Sequence, residues 1–196
     1  MGIRKYALKR ENEKMSDVAF RVMILLMILV DFFYPEVGRR SRGFGIEKGM
    51  TVVDYGCGPG RYTIKFAGIV GDKGKVIAAD IHEMAIKAVK KRTGKLGIRN
   101  VETALIEGYD SGLPDNIADI VCALNMFFNV RLPAEFLKEL NRITKKDGVL
   151  VIDDGHQKRE ETKRKILESG YWDIIEENKD HLRCRPRLIK SDIAAA

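Results

Sequence analysis

The spacing of apolar residues divides the chain into three stretches. Through about residue 48 the pattern is helical. An uncharged apolar run over residues 22–30 lies between Arg21 and Asp31, with Ser16 and Asp17 placed to cap its start and Pro35 to end it. A shorter basic helix is expected over residues 36–43. From Met50 onward, short runs suited to strands alternate with helical spacing. Strands are expected over residues 50–55 (MTVVDY), 75–80 (KVIAAD), 101–106, 118–123 (ADIVCA) and 149–153, the last entered through a turn at Asp147-Gly148. Helices are expected over 61–70, 82–93 (with Gly94 near its end), 134–144 and 157–169; in the third, Phe136, Leu137, Leu140 and Ile143 share one face. After Gly170 the pattern changes again. Two strands, 171–176 and 181–185, flank the turn Asn178-Lys179-Asp180 and pair as an antiparallel hairpin.

Five strands separated by helices predict a parallel sheet with right-handed crossovers. Ligands of such sheets bind beyond the carboxyl ends of the strands, so the residues that follow each strand become the candidates. The expected organisation is an N-terminal helical cover over residues 1–48, a ligand-binding domain over 49–190 and a flexible tail over 191–196.

Composition narrows the class. The net charge is +7, from 35 basic and 28 acidic residues, but the basic residues are spread along the chain and mostly interleaved with acids. Solvated helix faces account for most of them, which disfavours nucleic acid as a partner. The apolar run of nine residues over 22–30 is short against the roughly 20 needed to span a membrane, and no small-residue cleavage site follows it. It reads as a buried helix, with peripheral membrane contact as the second reading. Cys57, Cys122 and Cys184 lie far apart without a C-x-x-C pair, so neither a zinc site nor a disulfide is expected and a cytoplasmic location is.

The first strand ends at Asp54, ahead of Gly56, Cys57, Gly58 and Gly60. Glycines allow a sharp turn and close approach of a ligand to the backbone. The spacing is G-x-G-x-G; the dinucleotide fingerprint would put its third glycine at position 61, which is Arg61. A carboxylate here disfavours a pyrophosphate and favours a ligand bearing an ammonium and a sulfonium, as S-adenosylmethionine does. Asp80 ends the second strand, 24 positions after Gly56, near the spacing at which an acid meets ribose hydroxyls. The competing reading of Asp80 is a cap for the helix that starts near His82. Ile81 adjoins it. The third strand leads into Glu107-Gly108-Tyr109-Asp110, where Asp110 or Tyr109 would meet an adenine, and Asn125 follows the fourth strand at the mouth of the site.

VVDYGCGPGRYT, VIAAD, IEGYDSGLPDNIADIV and KKDGVLVIDD, in that order, resemble the successive motifs of the class I (Rossmann-like) S-adenosylmethionine-dependent methyltransferases. The general look is nearest to the small-molecule methyltransferases of the ubiquinone and menaquinone pathway. The resemblance covers residues 45–176 and implies a seven-stranded, mostly parallel sheet in the order 3-2-1-4-5-7-6, with the last strand antiparallel. It also implies that Asp54, Gly56, Gly58 and Gly60 surround the methionine part of the cofactor, with Asp80 at the ribose and Asp110 or Tyr109 at the adenine; Cys57 and Ile81, beside them, are expected in the same cofactor site. Two departures stand out: Tyr109 holds the place where relatives commonly carry the acid, and Lys146-Asp147-Gly148 replaces a common Pro-Gly-Gly turn.

Methyl transfer needs alignment of nucleophile and methyl, and at most one general base. Asp153, Asp154 and His156 follow the fifth strand; Asp154 and His156 are taken as the catalytic candidates, against a surface role for the histidine. Asn125-Met126-Phe127-Phe128 lacks the prolines typical of amino methylation on nucleic-acid bases. Met23, Met27, Phe32, Phe33, Tyr34, Met126, Phe127 and Phe128 are expected to form an apolar cover, against the reading of each as plain helix-to-sheet core. A small, partly hydrophobic acceptor follows from this. RNA or protein methylation, and a non-catalytic cofactor-binding module, are the alternatives. A monomer or homodimer is expected.

Overall fold

Ser16 Oγ accepts from the backbone N–H of Ala19 at 3.3 Å and starts helix α1, Asp17–Phe33. The expected cap is therefore present; Pro35, the expected stop, lies outside the described residues. The computed structural model describes residues 16–33 and 36–187. Tyr34, residues 1–15 and the tail 191–196 fall outside that range, as do the side chains of Met23, Phe32 and Phe33.

By internal contacts the chain forms two compact units, Met1–Gly112 and Leu113–Ala196. In the first unit, α1 is followed by α2 (Glu36–Ser41), β1 (Thr51–Tyr55), α3 (Arg61–Val70), β2 (Lys75–Asp80), α4 (Glu83–Leu96) and β3 (Val101–Leu105). β1 runs parallel to β2 with Asp54 opposite Ala78, and β2 parallel to β3 with Asp80 opposite Leu105. Val52, Val53, Val76, Ile77, Ala78 and Ala79 are all buried. Such continuous apolar runs are what a parallel strand covered on both faces requires. α3 turns Tyr62, Thr63, Phe66, Ala67 and Val70 inward. Phe20 of α1 is buried with Cys57, Ala78, Ala85 and Val89.

The second unit contains β4 (Ala118–Ala123), a 3₁₀ turn (Phe127–Asn129), α5 (Pro133–Ile143), β5 (Thr144–Ile152), α6 (Arg159–Ser169), β6 (Trp172–Glu177) and β7 (Leu182–Pro186). The apolar face foreseen on α5 is buried, with Phe136, Leu137, Leu140 and Ile143 at 1% exposure or less. Trp172 is fully buried and its indole N–H donates to the Leu137 carbonyl at 2.9 Å.

β5 departs from expectation. It begins at Thr144 and runs through Asp147-Gly148 without a separate turn. The register with β4 jumps from Ala118↔Thr144 to Ile120↔Val149, so the extra β5 residues are absorbed in a bulge. Only glycine fits at 148, since a Cβ there would lie 2.7 Å from Thr144 Cγ2 and 3.0 Å from two β4 carbonyls. Elsewhere element ends shift by at most three residues, the largest at α4, which runs on through Gly94 to Leu96 and ends at the left-handed Gly97.

The seven strands take the order β3-β2-β1-β4-β5-β7-β6. β4 and β5 are parallel, and β7 is antiparallel to both β5 and β6, as the resemblance implies. The hairpin closes with Asn178 N–H donating to the His181 carbonyl at 2.9 Å.

Candidate cofactor-binding and active site

The glycine turn after β1 is held by its neighbours in the first unit. Gly56 and Cys57 N–H both donate to the Ala79 carbonyl, at 2.7 and 3.1 Å, and Gly60 N–H to the Cys57 carbonyl at 3.0 Å. Gly60 must be glycine. Its φ is +80°, and an added Cβ would stand 2.9 Å from Val89 Cγ2. Arg92 of α4 donates to the Pro59 carbonyl at 2.9 Å and ties the turn to that helix.

Two carboxylates are buried at this turn. Asp54, 3% exposed, accepts from the Thr63 hydroxyl. Burial is the main reason its carboxyl is pushed up to about 7; the Thr63 hydrogen bond opposes the rise and the nearby Asp80 charge adds to it. Asp80, 8% exposed, accepts from Gly58 N–H and from His82 N–H, each at 2.8 Å. Burial raises its carboxyl too, against the lowering by those two backbone donors. Asp80 thus clamps the glycine turn to the residues after β2. Capping of α4 falls instead to His82, whose Nδ1 accepts from Met84 N–H at 3.2 Å. Phe20 stacks on the His82 ring at 4.0 Å, and His82 Nε2 lies 3.5 Å from Asp17. Ile81 is half-buried between these two clamped residues. Cys57 is buried and its thiol is pushed well up, chiefly by burial.

The loop after β3 lies against Asp80, whose carbonyl accepts from Ile106 N–H at 2.9 Å. Glu107 and Asp110 exchange backbone hydrogen bonds of 3.1 Å around Gly108 and Tyr109. Asp110 is exposed and its carboxylate accepts from Gly112 N–H at 2.9 Å, so it braces its own turn; Tyr109 is half-buried.

In the second unit Asn125 is exposed in a left-handed conformation, φ 57°, and its N–H donates to Asp153 at 2.7 Å. Asp153, 3% exposed, therefore joins the ends of β4 and β5. Both Asp154 oxygens accept from Arg159 Nε, at 3.0 and 2.8 Å. His156 is exposed and meets Phe128 edge-on, with ring centroids 4.8 Å apart. Phe127, expected in an apolar cover, is instead fully buried and stacked on Phe136. Met126 and Met27 are half-buried.

The residues that sequence reading missed are those whose role comes from pairing across elements. Thr63 and Arg92 sit in ordinary helical stretches, and nothing in their spacing marks them. His82 read as a helix start, and Phe20 as one apolar residue among many. Among the described residues no group of three or more metal-ligating side chains converges.

A mostly parallel α/β sheet whose first strand carries a buried carboxylate just before a three-glycine turn, and whose second ends in another buried carboxylate, defines a Rossmann-like protein. Comparison with known proteins makes the class specific. Residues 46–184 match the model of a family described as the methyltransferase domain. The chain belongs to that family. It is 32% identical over 132 residues to the ubiquinone/menaquinone biosynthesis C-methyltransferase UbiE of Shewanella oneidensis, a match covering 67% of this chain and 53% of the relative. The chain thus spans about half the length of the curated relatives it matches. A S-adenosylmethionine-dependent methyltransferase of Aquifex aeolicus superposes with a TM-score of 0.68 at 28% identity, covering 78% of this chain and 89% of the other. The arsenic(III) S-adenosylmethionine methyltransferase of Chlamydomonas reinhardtii, at 19% identity and TM-score 0.59 over 74% of this chain and 65% of the other, shares the fold.

Proposed function

We propose that this chain is an S-adenosylmethionine-dependent methyltransferase acting on a small, partly hydrophobic acceptor, with Asp54, Gly56, Cys57, Gly58, Gly60, Asp80 and Ile81 forming the cofactor site. The single observation that carries the reading is the pair of buried carboxylates at the glycine turn. Burying anionic groups together is unfavourable unless a positive charge compensates them. A ligand bearing an ammonium and a sulfonium supplies that charge; a diphosphate would worsen the imbalance.

Asp80 keeps a carboxylate oxygen toward each of two backbone donors. Each oxygen has a second lone pair, enough to accept from a ribose hydroxyl. The turn around Tyr109 and Asp110 is the adenine side; Tyr109 is the better candidate there, because the Asp110 carboxylate serves its own turn. When bound, the cofactor supplies an electrophilic methyl group. The chain's part is to fix its orientation and to exclude water with buried apolar side chains.

Of the acceptor-side candidates, His156 suits proton removal better than Asp154, whose carboxylate is held by Arg159. Asn125 presents its side chain from an exposed, left-handed position after β4. The name of the UbiE relatives makes a carbon acceptor the nearest precedent. Three buried cysteines without a disulfide suit a reducing, cytoplasmic setting, and no helix among the described residues is long and apolar enough to cross a membrane.

Calorimetric titration with S-adenosylhomocysteine tests the cofactor site; absence of binding would sink the proposal. Transfer of labelled methyl from the cofactor to a metabolite extract tests the activity, with His156→Ala lowering the rate constant and leaving cofactor affinity unchanged.

A further inference from the structure

We propose that Thr63 is a positioning residue of the cofactor site: its hydroxyl orients the Asp54 carboxylate for the ligand's ammonium and thereby sets the pH range over which the cofactor binds. The proposal rests on the cofactor site assigned above to Asp54 and the glycine turn. It adds a residue outside the G-x-G-x-G motif that acts on the ligand through Asp54.

Thr63 is the third residue of α3 and is fully buried. Its hydroxyl donates to Asp54 Oδ2. The cap position of α3 is Gly60, left-handed and without a side chain, so the first N–H groups of the helix lack the usual side-chain acceptor. The Asp54 carboxyl, near the end of β1, takes that place: the Thr63 backbone N–H donates to it as well. One residue thus gives two donors to one carboxyl, at a helix N-terminus whose dipole favours an anion. The direction of the hydroxyl is particular to this position. Thr93 and Thr144, also buried, donate to the carbonyl four residues earlier, that of Val89 and that of Leu140. For Thr63 the carbonyl four residues earlier is that of Pro59, which accepts from Arg92.

Two donors fix a carboxylate without saturating it, since its two oxygens offer about four lone-pair sites. The remaining capacity suits a cationic group. Burial favours the neutral acid and Asp80 of β2 adds to that by repulsion, while the Cys57 thiol in the turn, itself pushed well up, stays uncharged. Thr63 opposes the rise, and the midpoint stands at about 7. An ordinary carboxylate, titrating near about 4, would stay ionised at neutrality after losing one hydrogen bond. With the midpoint at neutrality, the same loss changes the ionised fraction directly.

The test is calorimetric titration of the full chain with S-adenosylmethionine at several pH values. Thr63→Val keeps the branched shape and removes the hydroxyl. One lost hydrogen bond to a charged group corresponds to about one pH unit or more, so the midpoint should move to about 8. The ionised fractions then predict binding weaker by about tenfold at pH 5.5, about fivefold at pH 7 and only about twofold at pH 8. Thr63→Ser keeps the hydroxyl and should stay within about twofold of the unaltered chain throughout. Thr63→Ala set against Thr63→Ser repeats the contrast in a smaller side chain. A second measurement needs no cofactor. In NMR of the unliganded chain carrying carboxyl-labelled aspartate, the Asp54 signal, identified by its loss in Asp54→Asn, should titrate about one pH unit higher in Thr63→Val. No binding of S-adenosylmethionine to the unaltered chain overturns the cofactor site itself. Binding weakened by one factor at every pH, or an Asp54 carboxyl that titrates alike with and without the hydroxyl, overturns the role of Thr63.

Discussion

Acidity should control cofactor binding through Asp54. Its carboxyl titrates at about 7 in the unliganded chain because it is buried at the end of β1. A cationic ligand prefers the ionised form, so the apparent affinity scales with the ionised fraction. That fraction is about one half at pH 7 and about one in thirty at pH 5.5, given a midpoint near 7. S-adenosylmethionine should therefore bind about fifteenfold more weakly at pH 5.5 than at pH 7, with uptake of the ligand releasing about half a proton at pH 7. The range stays below that in which an α-amino group loses its own charge. Calorimetry in two buffers of different ionisation enthalpy measures both the affinity and the proton release. Asp54→Asn should bind more weakly at every pH and lose most of the dependence. An affinity flat between the two pH values in the unaltered protein would refute the reasoning, and a full dependence surviving in Asp54→Asn would move the effect to Asp80, whose carboxyl burial also raises.

The same raised carboxyl acts on stability with a definite sign. The folded state holds the Asp54 proton to higher pH than the unfolded state, so unliganded stability should fall as pH rises from about 4 to about 7, by on the order of 4 kcal/mol, and thermal melts across that range should show it. Asp80→Ala removes the acceptor of both Gly58 and His82 N–H and should cost about 2–4 kcal/mol together with at least tenfold in S-adenosylhomocysteine affinity; Asp80→Asn should fall between, and unchanged affinity in the alanine variant would remove Asp80 from the cofactor site. Phe20→Ala removes the stack on His82 and should cost about 3–5 kcal/mol, read as lost amide-exchange protection in α1; full protection would refute the anchoring role. Gly155→Ala puts a Cβ 2.3 Å from the Phe128 ring at a φ of +57°, and should cost about 1–3 kcal/mol and lower the melting temperature by several degrees.

The sequence by itself determined the alternation of strands and helices, the terminal hairpin, the buried face of α5 and the candidate turn with Asp54 and Asp80. Each is written in short-range order: residue period, glycine spacing, an acid at a strand's end. Tertiary structure decided what those side chains face. Asp147-Gly148 looked like a turn, yet strand pairing with β4 drew it into a bulge, because register is set by a partner far along the chain. Asp154 looked as available as His156 until Arg159 was seen on its carboxylate. Thr63 beneath Asp54, Arg92 on the Pro59 carbonyl and Phe20 on His82 have no local signature. Burial, and the pairing of groups distant in sequence, exist only once the chain has closed on itself, and those are the quantities that set a carboxyl's acidity.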